Sequence, residues 1–471
     1  MSARDPRPSA PHAGEKMNGR EGQAPPPRLI RGGRLIDASG LDRETDLLIA
    51  GGVIAEIGPG IAPGPGVEVE DARGLLVLPG LCDIHVHLRE PGEEDKETVA
   101  SGAAAAAAGG FTDIACMPNT QPPIDDQSQV KFVIARAQAA GLARVHVIAA
   151  VTQGRAGEQL TEMAELQAAG AVAFSDDGFP VRNAEIMRRA LEYGRMIDAP
   201  IIDHCEDKDL AGVGCMHEGR VSTELGLPGI PAAAEEVLVA RDLVLAELTG
   251  AHVHLAHLST RGSVDLVRTA KARGVRVTCE VTPHHLILTD EAVRSYDPVT
   301  KMNPPLRSAT DVRALRAALA DGTIDAIATD HAPHTEHEKE LEFDRAPFGV
   351  VGLETALGLV LSELVDQGVL DLPGVVRVMS LAPRRILGLP GGTLAAGAPA
   401  DLVLVDPNAY WAVDPSRFRS RSRNSPFRGF RLRGEVMATV VGGRVVMRRG
   451  EELRAGAIAG RGHGGAALEA R

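Results

Sequence analysis

The chain has 471 residues, 44% of them hydrophobic but only 3% aromatic, with 50 basic against 63 acidic side chains and a formal charge of −13. That length suits one large unit of about 250 residues plus a smaller one, with a core that Ala, Val, Leu and Ile must build. The acidic balance argues against nucleic acid, no apolar run is long enough to span a bilayer, and five cysteines without a C-x-x-C argue against a disulfide framework or zinc ribbon and for a reducing cytoplasm.

Residues 1–27 are rich in Pro, Gly and charge and lack a hydrophobic signal core, so they read as a disordered segment in which Met17 is an alternative start. Residues 28–78 alternate apolar stretches with Gly turns (LIRGGRLIDASG, then DLLIAGGVIAEIGPG), which is hairpin patterning. The pattern returns in PADLVLVDP and VMATVVGGRVVMRRG, so residues 28–78 and 389–450 are expected to form one small β-sandwich domain built from both chain ends. Between them, residues 79–388 alternate short apolar runs with Ala/Leu-rich helical stretches. The candidate strands are 81–88, 112–118, 145–151, 171–175, 200–204, 252–257, 276–281 and 325–329. Eight such βα units predict an α/β fold, a closed TIM-type (β/α)8 barrel. The alanine run at 103–108 is expected to be a helix packed on the sheet, and the glycine-containing stretch 207–232 a mobile loop over the site. Residues 451–471 read as a flexible tail.

In such a barrel the chemistry gathers where the strands end. The first strand ends in D-I-H-V-H-L-R, and period-two geometry puts His85 and His87 on one face as natural ligands of a divalent metal. The fourth ends in F-S-D-D-G with Asp176 and Asp177, of which alternation lets only one point inward. The fifth is centred on His204, the sixth carries His252, His254 and His257, and the eighth ends with Asp330, His331 and His334. An isolated H-x-H would as readily be two buried histidines, but five strand ends with His or carboxylate argue against a purely structural set. They supply ligands enough for two bridged metals, which together activate water and polarise an amide carbonyl, with Asp330 as the proton carrier.

These residues together resemble the amidohydrolase superfamily, and more narrowly dihydroorotases of the bacterial class I type. The resemblance rests on D-I-H-V-H-L-R-E-P-G at 83–92, M-P-N-T at 117–120, F-S-D-D-G at 174–178, H-C-E-D at 204–207, K-M-N-P-P-L-R at 301–307, A-T-D-H-A-P-H with Lys339 beyond it, and S-R-N-S-P-F at 422–427. It implies two zinc ions per subunit, one held by His85, His87 and Asp330, the other by His204 and His257, with Asp177 as the bridging carboxylate. Many relatives bridge with a carboxylated lysine, and no lysine lies on the fourth strand here. It further implies a substrate with a carboxylate beside its ring, received by Arg89, Asn119 and His334. Asn303, His87 and the turn at Phe348 and Gly349 complete the substrate contacts. The implied reaction is the reversible cyclisation of N-carbamoyl-L-aspartate to (S)-dihydroorotate in pyrimidine synthesis, by a hydroxide activated between the metals and with Asp330 as general acid/base.

Other residues receive structural expectations. His252 and His254 sit early in their strand, His284 and His285 belong to no ligand pattern, and His331 is expected to pack behind the site. Cys82, Cys116 and Cys205 read as small buried hydrophobes. The arginine-rich stretch 417–433 reads as a solvated face before it reads as a surface for an acidic partner. Alternative functions are an allantoinase or hydantoinase-type cyclic amidase, which needs no carboxylate receptor, and a non-catalytic partner of aspartate transcarbamoylase, which would not keep every ligand position filled. Aspartate transcarbamoylase and a second copy of the chain are the candidate protein partners of the enzyme itself.

Overall fold

The structure is a computed structural model and describes residues 25–451. The expectations for 1–27 and 451–471 therefore fall almost wholly outside the described residues.

The barrel strands are Leu81–Val86, Phe111–Cys116, Arg144–Ala149, Ala171–Ser175, Ile201–Asp203, Val253–Leu255, Val277–Val281 and Ala326–Ile327. They form one eight-stranded sheet in sequential order, and every neighbouring pair is parallel. The ring is closed by a parallel bridge between Val86 and His331, with the His87 amide donating to the His331 carbonyl at 2.8 Å. Strands of a parallel sheet are buried on both faces, so they read as continuous apolar runs. Here one face carries Ile114, Val147, Leu255 and Val281 outward under the helices, and the other carries Cys82, Ile84, Ala115, Ile148, Ala173, Ile202, Ala256 and Ala326 into the barrel. The inner set is small, which leaves room for polar side chains above it.

The alanine run lies in the helix Val99–Ala108, whose entry is capped by Thr98 and whose Ala103, Ala105, Ala106 and Ala107 are buried. Alanine lets this helix approach closely, and the Ala107 carbonyl accepts from Thr439 of the small sheet at 2.7 Å.

The small domain is one hydrogen-bonded sheet of eight strands contributed by both ends of the chain. Leu76–Pro79 joins the halves: it pairs parallel with Arg28–Ile36 and antiparallel with Leu402–Ala412. Alternation then divides the side chains. Val77, Leu402 and Leu404 join Ile30, Leu47, Ile54 and Val440 in a separate core, while Leu76, Leu78, Val403 and Val405 pack on the barrel.

Residues 207–232, expected as a mobile loop over the site, carry short regular elements. They hold the short helices Lys208–Ala211 and Arg220–Leu225, and a two-stranded parallel pair of Met216–His217 with Gly229–Ile230. The reason is a satellite core of Cys215, Met216 and Val221 against Val293 and Phe343, which no periodicity within the segment signals.

Candidate active site

The first strand carries a register shift between Asp83 and Val86, which spans His85, and His85 and His87 turn to the mouth of the barrel. Asp177 follows the fourth strand, His204 the fifth, His257 the sixth and Asp330 the eighth. His87 Nε2 lies 3.0 Å from Asp330 Oδ1 and 3.6 Å from Asp177 Oδ2. His85 Nε2 lies 3.5 Å from Asp177 Oδ1 and 3.6 Å from Asp330 Oδ1. Asp177 Oδ1 is also 3.6 Å from His204 Nδ1 and 3.7 Å from His257 Nε2, and these two imidazole nitrogens face each other at 2.9 Å. Asp177 is therefore the hub on which four imidazoles converge. Asp176 is turned away: its carboxylate accepts from the Val151 and Thr152 amides and the Thr152 hydroxyl, pinning the third strand's end.

All six side chains are buried. Burial opposes charge on Asp177, yet the surrounding histidines, His85 foremost, hold its carboxyl well below the usual range. Asp330 is likewise depressed against burial, by His85 and His87. Burial disfavours the His204 cation, but Asp177 and Glu206 outweigh it and raise the ring to about 9. His85 is raised well above its ordinary value against the same burial, by Asp177, Glu280 and Asp330. The pocket is thus a concentrated negative field that draws positive charge onto its histidines, the electrostatic setting of a cation site.

His85 Nε2, Asp177 Oδ1 and His257 Nδ1 are buried without a hydrogen-bond partner. Buried polar atoms are rarely left so without a reason. The ligand atoms of His85, Asp177 and His257, and those of His85, His87 and Asp330, form two sets each within 4.8 Å. Imidazole nitrogen with carboxylate oxygen is the donor set zinc takes. The residues present fit the metal.

Every substrate-contact residue expected from sequence borders one cleft of about 440 Å³, together with His87, Asp177, His204, His257 and Asp330; only His85 lies beneath it. Asn119 Oδ1 is 2.7 Å from His87 Nδ1. His334 Nε2 is 2.8 Å from the Phe348 carbonyl, and Asn303 Nδ2 donates to Glu206 at 3.0 Å. Arg89 is 8% exposed; its Nε donates to the Pro333 carbonyl at 3.2 Å and its Nη2 lies 3.5 Å from His334 Nε2. Among the described residues it makes no ion pair, and burial lowers its pKa.

Two carboxylates were not singled out from sequence. Glu280, on the seventh strand, sets one oxygen 2.7 Å from His85 Nδ1 and the other 3.2 Å from His254 Nε2. A carboxylate on a ligand imidazole's far nitrogen fixes which nitrogen faces the metal. Its signal was a charged residue at an inward position of V-T-C-E-V, two after Thr278. Glu206 lies 3.3 Å from His204 Nε2, pairs with Lys208 and holds Asn303. His252, His254, His285 and His331 have partners outside the cluster in Thr278, Glu280, the Pro304 carbonyl and Glu97. His284 is buried with its Nε2 unpartnered. All five cysteines are free and buried, and burial pushes the Cys116 thiol up to about 12.

Residues 74–263 match the family model described as dihydro-orotase-like. The dihydroorotase of Pelotomaculum thermopropionicum is 59% identical over 420 residues, covering 89% of this chain and 98% of that one. That of Pelobacter propionicus is 56% identical, with 89% and 99% covered. Among solved structures, the L-hydantoinase (dihydropyrimidinase) of Arthrobacter aurescens matches with a TM-score of 0.82 at 27% identity, covering 91% of this chain and 97% of its own. The D-hydantoinase of a Thermus species matches at 0.79 and 28%, covering 90% and 96%.

Proposed function

The chain belongs to the dihydroorotase family, and we propose from that premise that it interconverts N-carbamoyl-L-aspartate and (S)-dihydroorotate, as a class I bacterial enzyme of cytoplasmic pyrimidine synthesis. The observation that carries the substrate is Arg89. Arg89 stands buried in the wall of a cleft with no ion pair among the described residues, and Glu93, Asp330, Glu338 and Asp177 act on it only from farther off, so an arriving anion would be its direct partner. A ring that bears a carboxylate supplies that anion; a plain hydantoin does not.

His85, His87 and Asp330 would hold one zinc ion, His204 and His257 the second, with Asp177 between them. Zinc bound there supplies Lewis acidity toward the ring carbonyl and toward water. The chain's own residues do the rest. Arg89, Asn119 and His334 grip the substrate carboxylate, the first with a planar fork matched to it. Asn303, His87 and the backbone at Phe348 and Gly349 seat the ring. In the hydrolytic direction, Asp330 accepts a proton from the attacking water and returns it to the departing ring nitrogen. Its depressed pKa keeps it ionised, with a free oxygen to take the proton. Ring closure runs the same transfers backward and releases water.

The test is turnover of dihydroorotate, hydantoin and allantoin, with the zinc-to-chain ratio measured on the same samples for wild type and Asp177→Ala. Dihydroorotate turnover with about two zinc ions per wild-type chain, both lost in the variant, is the expected result. Turnover of only hydantoin and allantoin would overturn the reading.

A further inference from the structure

The segment S-R-N-S-P-F at 422–427 has no part in the chemistry above, yet it reaches the cleft. It begins as an anchored strap. The Glu354 carboxylate accepts from the Arg419 and Ser420 amides at 2.8 and 3.0 Å. Glu97 accepts from the Ser420 hydroxyl and from the Arg421 amide, and the Ser422 hydroxyl donates to the Lys96 carbonyl. The strap ends by inserting Asn424, 3% exposed, behind the substrate-carboxylate end of the cleft.

There the Asn424 side chain joins two walls that are distant in sequence. Its Nδ2 donates to the Ala332 carbonyl at 3.0 Å and to the Gly349 carbonyl at 3.1 Å, and its Oδ1 accepts from the His334 amide at 3.3 Å. Its backbone carbonyl accepts from Val351 at 3.0 Å. One wall carries His334, the other Phe348 and Gly349, and all three border the cleft. The walls touch closely: a Cβ on Gly349, whose φ is +135°, would lie 2.8 Å from Ala332 Cβ. Two donors and one acceptor are required in one fixed plane, which a primary amide alone provides.

We propose that Asn424 is a positioning residue that sets the spacing of the substrate-carboxylate pocket by clamping the Ala332–His334 wall to the Phe348–Gly349 wall. Asn424 touches no substrate atom in this reading. It acts through His334 and Gly349, so its loss loosens recognition of the carboxylate and leaves the metal cluster and proton transfer intact. The inference rests on the proposed carboxylated substrate.

Asn424→Asp keeps the shape and turns both donated bonds into contacts between acceptors. Asn424→Ser, which keeps a small donor, guards against a charge artefact. For both variants we expect KM for dihydroorotate to rise about tenfold or more, the usual scale for losing buried hydrogen bonds. The zinc content should be unchanged and kcat should stay within about threefold. Hydrogen exchange on the ligand-free enzyme gives a readout independent of substrate: the amides of His334 and Val351 should lose protection while strand amides such as Ile148 keep theirs. An unchanged KM beside unchanged exchange overturns the proposal, and so does a fall in kcat with loss of zinc. If wild type fails to turn over dihydroorotate, the functional reading fails, and faster exchange at His334 and Val351 still upholds the clamp.

Discussion

Arg89→Met should move stability and activity in opposite directions. In the free enzyme Arg89 is buried, makes no ion pair among the described residues, and is compensated by one backbone bond at 3.2 Å and the longer-range attraction of Glu93, Asp330, Glu338 and Asp177, while His334 Nε2 is committed to the Phe348 carbonyl. Burying an uncompensated polar group costs about 1–3 kcal/mol, and the bond to Pro333 returns about 1 kcal/mol. Methionine fills much of the same volume without the charge, so the variant should be more stable by about 1 kcal/mol, roughly 1–2 °C in Tm for a chain of this size. Substrate recognition should suffer far more. Two charge-assisted bonds to a carboxylate contribute about 1.5–3 kcal/mol each; a loss of about 4 kcal/mol corresponds to roughly a 10³-fold fall in kcat/KM. Arg89→Lys, which keeps a point charge but not the fork, should fall between the two. The assay is thermal unfolding of zinc-loaded protein beside steady-state kinetics in both directions. A Tm lowered by several degrees, or a kcat/KM within about tenfold of wild type, would refute the view that Arg89 is held for the substrate at a cost to the fold.

Gly349→Ala should destabilise the protein by about 2 kcal/mol and raise KM, because φ +135° disfavours any side chain and the new methyl meets Ala332; chemical denaturation and kinetics would measure both. Glu354→Gln should stabilise at pH 8 and not at pH 4. Burial, with help from Glu97, pushes the Glu354 carboxyl up to about 7 against the two amides that favour its charge. A folded pKa above the unfolded one contributes stability below about pH 4.5 that is lost as pH rises through 7. Glutamine, always neutral, escapes that loss, so its advantage should grow by about 2 kcal/mol across the window, given the partial exposure of the side chain. An advantage independent of pH would count against the shift. Removing metal with a chelator should lower Tm and abolish turnover, with zinc restoring both, because a ligand held only by the folded state stabilises it; Asp177→Asn should show no such response to zinc.

Most of the barrel was legible because parallel strands buried on both faces must be short, apolar and β-branched, and the chain spells this out eight times. The site was legible for a related reason. Polar residues at the ends of such runs stand out against them, so His85, His87, Asp177, His204, His257 and Asp330 announce themselves one strand at a time. What the pattern cannot carry is contact across strands. Alternation alone left Asp176 and Asp177 open and only the resemblance favoured Asp177; the physical reason lies at the end of the third strand, where the amides of Val151 and Thr152 turn Asp176 aside. Residues 207–232 hid their order for the same reason, since their core is completed by Val293 and Phe343.

Glu280 shows what that limit means for function. It stands inside an apolar strand, 195 residues from His85, and its two oxygens hold the far nitrogens of His85 and His254. Burial works against its charge, and the two histidines hold its pKa down to about 2. A carboxylate so placed keeps His85 Nδ1 as the donor and leaves Nε2 free toward Asp177 and Asp330, which is the orientation a metal requires. The candidate ligands can be counted from strand ends, but their aim is set one layer deeper, by Glu280 beneath His85 and by Glu206 beside His204. In the proposed reading, Asn424 would do for the carboxylate pocket what these two do for the cluster. In each case the residue proposed to meet the ligand is marked by its own strand or loop, and the residue that holds it in place arrives from elsewhere in the chain.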